Sequence, residues 1–230
     1  MKTYDLYLES GPMMKKTMAH VPSLMGCIAR GETTQAALDA TDEAIRAYLR
    51  FLARHSERAD AKAAFRKKIA GHITEGAWLG NGAVFLPTDP QPLSRRESDA
   101  LMRRLDGLHD DIRRLTGKLT AKQLAARPAK GRPIIGILQH LTGEGGYLRG
   151  VGGASRLQRE VEDGRVDPRD ALDELHGMEV ERLAAMTAEE RGRVMMRGQS
   201  PWSVRSAVRR MLEHGWEHYV EIAERLGVAP

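Results

Sequence analysis

The chain has 230 residues, a length that accommodates one large domain or two modest ones, and we expect two. Hydrophobic residues make up 41% of the chain and charged residues 29%, which excludes an intrinsically disordered protein. The single cysteine, Cys27, excludes a framework of intrachain disulfides and is typical of a reducing cytoplasm.

The formal net charge of +5 raises the question of a nucleic-acid partner. However, basic pairs such as Arg95-Arg96, Arg113-Arg114 and Arg209-Arg210 are interleaved with Asp and Glu, as on a solvated helix face. No known nucleic-acid reader motif accompanies them, so we do not expect nucleic-acid binding. The chain also has no uninterrupted run of about eighteen apolar residues and no apolar segment near its first residue. We therefore expect a cytoplasmic protein without a membrane partner.

The first part of the chain predicts a small sheet covered by one helix. Residues 3–9 alternate polar and apolar side chains, and residues 15–21 and 26–30 are two further strand candidates. Together they predict a three-stranded antiparallel meander. Thr33 is well placed as the N-cap of an amphipathic helix that follows. A further strand at 80–87 would complete the sheet.

A sequence pattern in this region resembles a known family. The segment VPSLMGCIARGET contains a Pro…Gly-Cys…Gly-x-Thr pattern at Pro22, Gly26, Cys27, Gly31 and Thr33. With the strands before it and the Ala-rich helix after it, the segment resembles the HicB-like antitoxin fold over residues 1–55. The resemblance implies an α/β domain over residues 1–90 that binds a protein partner. Nothing downstream is typical of a DNA-binding tail, so we do not expect a repressor.

Three prolines mark a linker, after which the pattern changes to a helical period. Pro87, Pro90 and Pro92 disfavour continuous secondary structure, and the second domain covers residues 93–230. Four long helices are predicted at 94–119, 133–150, 168–186 and 201–226. Their starts are supported by a Ser94/Glu97 capping box and by the pairs Asp167-Pro168 and Ser200-Pro201. The fold class is therefore α+β, a small antiparallel sheet with a helix followed by a four-helix bundle.

Three histidines are the candidate ligands of a metal ion. His214 and His218 are four residues apart in the last predicted helix, so their imidazoles point to the same side. His140 lies in the second predicted helix and would complete a site of three imidazoles. Glycines at 143, 145, 146 and 215 would leave space beside them or permit close helix packing. Helical histidines are also often surface residues or core residues with satisfied hydrogen bonds.

These histidines carry a second family resemblance. A four-helix chain with His in its second helix and HxxxH in a last helix that begins PWSVRSAVRRM resembles the DinB/YfiT-like family of metalloenzymes. The resemblance covers residues 93–230. It implies a divalent transition metal such as Zn, Ni or Fe, bound by His140, His214 and His218, and it implies a homodimer. In a degenerate family member the three histidines would pack or remain empty.

Other polar and aromatic residues near these positions have two readings each. Glu144, one turn after His140, is the candidate catalytic residue, as a general base or a hydrogen-bond partner of a ligand, or else a solvated carboxylate. Tyr147 and Tyr219 would line the site or pack, and Trp202 and Trp216 are expected to pack.

Cys27 is expected to be a buried thiol. The remaining histidines have no partner at helical spacing and are expected to be structural or exposed: His20, His55, His72, His109 and His176.

Two functions of different classes follow. The first is a metal-dependent enzyme of the DinB-like kind, a thiol-dependent transferase or a hydrolase that acts on a small molecule, because three imidazoles leave a coordination position open. The alternative is a non-catalytic protein-binding module of the HicB type, in which the helical bundle is a dimerisation scaffold.

Overall fold

The computed structural model describes residues 1–74, 79 and 84–230, and it confirms the α+β class. By its internal contacts the chain divides into two units. The first comprises residues 1–92 and 192–216, and the second comprises residues 93–191 and 217–230. Residues 192–216, which were expected in the helical domain, thus group with the sheet, and the division passes through one long helix.

The first unit is built around a mixed four-stranded sheet. Its strands are β1 (Lys2–Ser10), β2 (Thr17–His20), β3 (Ile28–Gly31) and β4 (Phe65–Ile73), and the helix α1 (Thr34–Arg54) lies between β3 and β4 in the sequence. The strand order in the sheet is β3-β2-β1-β4. The predicted meander is confirmed, because β1 pairs antiparallel with β2 and β2 pairs antiparallel with β3.

The fourth strand was not predicted. β4 lies beside β1 and runs parallel to it. Its sequence, FRKKIAGHI, places charged residues among the apolar ones, and all of its residues are exposed or half-buried. It therefore lacks the apolar alternation by which a strand is recognised. Of the further strand expected at 80–87, residues 80–83 lie outside the described part of the chain, and residues 84–86 are not in a strand.

Helix α1 begins and packs as the sequence predicts. The Thr33 hydroxyl caps it by accepting a hydrogen bond from the Ala36 N–H at 3.1 Å. Its apolar stripe is buried, and the Tyr48 hydroxyl donates a hydrogen bond to the Met25 carbonyl at 2.5 Å. Directly beside that hydroxyl lies Gly26, which has a φ of +105° and leaves no room for a Cβ atom. Gly26 thus belongs to the α1 packing contact.

The remainder of the chain is mainly helical. Its helices are α2 (Arg95–Thr116), α3 (Ala121–Ala125), α4 (Ile134–Leu141), α5 (Ala154–Glu162), α6 (Pro168–Ala185), α7 (Ala188–Gly192) and α8 (Val204–Arg225). The Ser94/Glu97 capping box is confirmed, and Asp167 caps α6 as expected. Within the second unit α2 and α4 both pack against α6. In the part of the chain that the structure describes, no helix combines the length and apolarity needed to cross a membrane.

Two predicted helices have different bounds. The helix expected over 133–150 ends at Leu141 and continues only as a 3₁₀ turn, Thr142–Gly146, because the glycines there disfavour an α-helix. The helix expected from Pro201 begins at Val204. The residues before it, Ser200–Ser203, instead form strand β6, which pairs with β5 (Val194–Arg197) in a small hairpin. The predicted Ser200 cap is therefore wrong, and the Ser203 hydroxyl accepts from the Ser206 N–H instead.

Candidate metal centre

The structure brings the three predicted histidine ligands together. His214 and His218 follow one another by one turn of α8, and His140 lies near the end of α4. One nitrogen from each of the three imidazoles lies within 4.8 Å of the other two. The rings of His140 and His218 meet edge to face, with centroids 5.0 Å apart and planes at 88°. His214 and His218 are buried, whereas His140 is exposed.

The donor set fits a divalent transition metal. Imidazole nitrogens bind such ions at about 2.0–2.1 Å, so two nitrogens on a tetrahedral ion lie about 3.3 Å apart. The three nitrogens all lie within 4.8 Å of one another, so no pair is more than about 1.5 Å beyond that distance. Three neutral donors leave at least one coordination position for another ligand, and the exposed His140 indicates the side on which solvent reaches the group.

A carboxylate outside the predicted set contacts one of the candidate ligands. His218 Nδ1 lies 3.0 Å from Glu221 Oε2, one turn further along α8. The hydrogen bond from His218 is the main reason that the pKa of Glu221 lies below its ordinary value, and the nearby Arg225 charge lowers it further, whereas burial opposes both. The spacing His-x-x-Glu on a helix would have identified this contact in the sequence.

The other predicted site residues have separate outcomes. The backbone of Glu144 belongs to the 3₁₀ turn after α4, but its side chain lies outside the described part of the structure, so its role stays a prediction. Trp216 packs as expected, edge to face with Tyr48 at a centroid distance of 5.0 Å. Tyr219 is also buried, so it packs rather than lining an open mouth.

No family model matches the chain, and a search of curated proteins and a search of solved structures likewise find no match. The HicB-like and DinB-like resemblances therefore depend on the sequence motifs alone.

A buried network of charges in the first unit was not predicted. His20 lies between two carboxylates, with Nδ1 2.8 Å from Glu213 Oε1 and Nε2 3.2 Å from Glu9 Oε2. Arg209 donates to Glu213 Oε2 at 2.8 Å and to Asp89 Oδ2 at 2.8 Å. Each of these five residues is at most 3% exposed. The network joins β1, β2, the turn before α2 and helix α8 through charged hydrogen bonds.

The network favours the charged forms of His20 and Glu213. Burial alone would raise the pKa of Glu213, but the charges of Arg209 and His20 and the His20 hydrogen bond lower it to about 2. Burial also works against the charge on His20. The Glu213 charge and the hydrogen bonds to Glu213 and Glu9 outweigh it, so the pKa of His20 is raised. The pair Arg209-Arg210, expected on a solvated face, is buried. Asp89 and Glu213 compensate the charge of Arg209, and Arg210 Nη1 lies 3.8 Å from Glu213 Oε2.

Two further histidines pair across α2 and α6 in the second unit. The rings of His109 and His176 stack with centroids 4.4 Å apart and planes at 6°. Each bonds an aspartate of the opposite helix, His109 to Asp173 at 2.9 Å and His176 to Asp106 at 2.8 Å. Burial and the nearby His176 lower the pKa of His109. These partners are far apart in the sequence, so spacing along one helix did not reveal them.

Proposed function

We propose that His140, His214 and His218 bind one divalent transition metal, Zn, Ni or Fe, and that the chain is a metal-dependent enzyme of the DinB-like kind. The observation that carries the proposal is the convergence of one nitrogen from each histidine within 4.8 Å. Among the described side chains this group consists of imidazoles. Imidazoles suit Zn, Ni and Fe better than Mg or Ca, which prefer oxygen ligands.

The residues of the chain have distinct tasks in this proposal. His214 and His218 are held in a buried helix, so their spacing is set by the helical repeat. His140 closes the site from α4 on its exposed side, where a small-molecule substrate would enter. When bound, the ion supplies Lewis-acid chemistry: it lowers the pKa of a proton-bearing group that joins it and stabilises developing negative charge. This chemistry suits a thiol-dependent transferase or a hydrolase.

Metal analysis of protein made without a histidine tag tests the proposal. We expect about one equivalent of a transition metal per chain, and His214→Ala or His218→Ala should lower the affinity at least tenfold because only two imidazoles remain. His176→Ala is the matched control, since that histidine bonds Asp106 on another helix pair. Circular dichroism spectra should show that every variant is folded.

Activity is the second part of the test. The metal-free and reloaded chains would be compared in a screen of thiol conjugation and of ester and amide hydrolysis. Turnover that appears only on reloading supports an enzyme. Equal metal content in the wild type and in all histidine variants would overturn the metal site and would favour the non-catalytic protein-binding module.

A further inference from the structure

A chain of hydrogen bonds leads from one proposed ligand to the start of the helix that carries another. His218 Nδ1 contacts Glu221 Oε2 at 3.0 Å. The other oxygen of Glu221, Oε1, accepts from Arg225 Nη2. Arg225 Nη1 donates in turn to the backbone carbonyl of Arg132. All four residues belong to the second unit.

The chemistry of these groups determines which nitrogen of His218 carries the proton. An ionised carboxylate only accepts hydrogen bonds, and Glu221 already accepts one from the Arg225 guanidinium. Nδ1 of His218 must therefore be the donor in its contact with Glu221. A neutral imidazole with a proton on Nδ1 has its lone pair on Nε2, and a metal ion binds that lone pair.

The last hydrogen bond of this series fixes the start of helix α4. Arg132 is followed by Pro133, the N-cap of α4, and α4 carries His140 near its other end. The Arg132 carbonyl belongs to the segment that leads into α4, so the Arg225 guanidinium ties the start of α4 to the last turn of α8. One guanidinium thus contacts both the carboxylate that orients His218 and the entry to the helix of His140.

We propose that Glu221 is a positioning residue, which holds His218 in the tautomer protonated at Nδ1 and presents Nε2 to the metal, while Arg225 holds Glu221 and the start of α4 in place. The metal-binding half of this inference rests on the proposed function. The assignment of the tautomer does not rest on the proposed function, because it concerns the metal-free protein. Carboxylates that hydrogen-bond a ligating histidine change metal affinity by about 10- to 100-fold when they are removed.

The tautomer is read directly from the metal-free, full-length chain. Two-bond ¹⁵N–¹H correlation spectra of uniformly ¹⁵N-labelled protein distinguish a protonated Nδ1 from a protonated Nε2. We expect His218 in the Nδ1-protonated form in the wild type and in Glu221→Gln, whose amide oxygen still accepts. In Glu221→Ala the proton should move to Nε2 in a substantial fraction of molecules. A wild-type His218 protonated at Nε2 would overturn the inference without any variant.

Metal affinity supplies the second readout. In a cobalt(II) titration followed by its absorption spectrum, Glu221→Ala should bind about 10- to 100-fold more weakly than the wild type, and Glu221→Gln should lie between them. The matched control is Glu224→Ala, an exposed glutamate on the same helix, which should bind as the wild type does. Equal affinities for Glu221→Ala and Glu224→Ala would overturn the positioning role.

The two readouts separate this inference from the proposed function. If the tautomer responds to Glu221→Ala but the wild type binds no cobalt or zinc, the metal site is wrong and the tautomer assignment stands. If the wild type binds metal and the tautomer of His218 does not respond, the metal site stands and Glu221 has no positioning role. A purely structural Glu221 would change the melting temperature but leave the tautomer as it is.

Discussion

Replacing Asp89 by alanine should destabilise the first unit strongly. The Asp89 side chain is fully buried and accepts hydrogen bonds from Arg209 Nε at 3.1 Å and from Arg209 Nη2 at 2.8 Å. It also accepts from the Leu86 N–H at 2.7 Å. Asp89→Ala removes all three bonds and leaves Arg209, which is only 3% exposed, with one carboxylate fewer. The Leu86 N–H then has no side-chain acceptor.

The expected loss is about 4 kcal/mol of unfolding free energy. Removing one partner of a buried ion pair costs about 3–5 kcal/mol, because the remaining charge is not compensated by water. Arg209 keeps its bonds to Glu213 and to the Val84 carbonyl, so the loss should not exceed this range. Arg50→Ala is a suitable control in the same unit. It breaks an ion pair with Glu43 that is 41% and 72% exposed, and such pairs contribute about 0–1 kcal/mol.

Urea unfolding measures the difference. The fluorescence of the buried Trp202 and Trp216 reports on the first unit, and far-ultraviolet circular dichroism shows whether the two units unfold together. Asp89→Asn should lie between the wild type and Asp89→Ala, because asparagine keeps one acceptor oxygen but not the charge. If Asp89→Ala lay within about 1 kcal/mol of Arg50→Ala, the view of this network as a buried and mutually dependent set would be refuted.

Four further predictions concern pH and glycine. The folded pKa of Glu213, about 2, lies below its unfolded value, so its contribution of roughly 3 kcal/mol is present above about pH 4.5 and is lost as the pH falls towards 2. The raised pKa of His20 has the opposite sign: its contribution is present below about pH 6.5 and is lost as the pH rises through the folded value, and His20→Gln should flatten that alkaline decline in urea unfolding. Gly26→Ala should cost about 3 kcal/mol, because its Cβ would lie 2.2 Å from the Tyr48 hydroxyl oxygen at a φ of +105°. By contrast Gly177→Ala, inside α6 with nothing within 4 Å of a new Cβ, should raise the unfolding free energy by about 0.5–1 kcal/mol in the same assay.

The sequence predicted those parts of the fold that depend on interactions between residues close together in the chain. The meander follows from alternation and turn residues, and the caps Thr33, Ser94 and Asp167 follow from side chains that satisfy helix N–H groups. Strand β4 was not predictable in this way. It pairs with β1 through its backbone, and its charged side chains tolerate the position because many of them remain exposed.

The candidate site was predictable to a similar extent. The helical repeat alone places His214 and His218 on one side of α8, because residues four apart are neighbours on a helix. His140 was proposed as the third ligand because it lies in another predicted helix, and the DinB-like resemblance supported this choice, since spacing does not say which helix lies opposite. The histidine pair across α2 and α6, with its crossed aspartates, had no such guide. Its partners meet only after the two helices have packed.

Helix α8 shows why charged residues can lead to a wrong prediction of which helix face is exposed. From Val204 to Trp216 every residue of α8 is buried, including Arg205, Arg209 and Arg210. The expectation of a solvated face assumed that a charge on a helix must find its partner in water or one turn away. Here partners also come from elsewhere in the chain. Arg205 donates to the backbone carbonyls of Gln91 and Pro92, and Arg209 donates to the Asp89 carboxylate as well as to Glu213 one turn away. Hydrogen bonds of fixed direction on several sides oppose rotation or sliding of the helix more than apolar contacts of the same area would. Such a helix would suit the proposed ligands His214 and His218, whose nitrogens would have to stay within about half an ångström of a productive geometry.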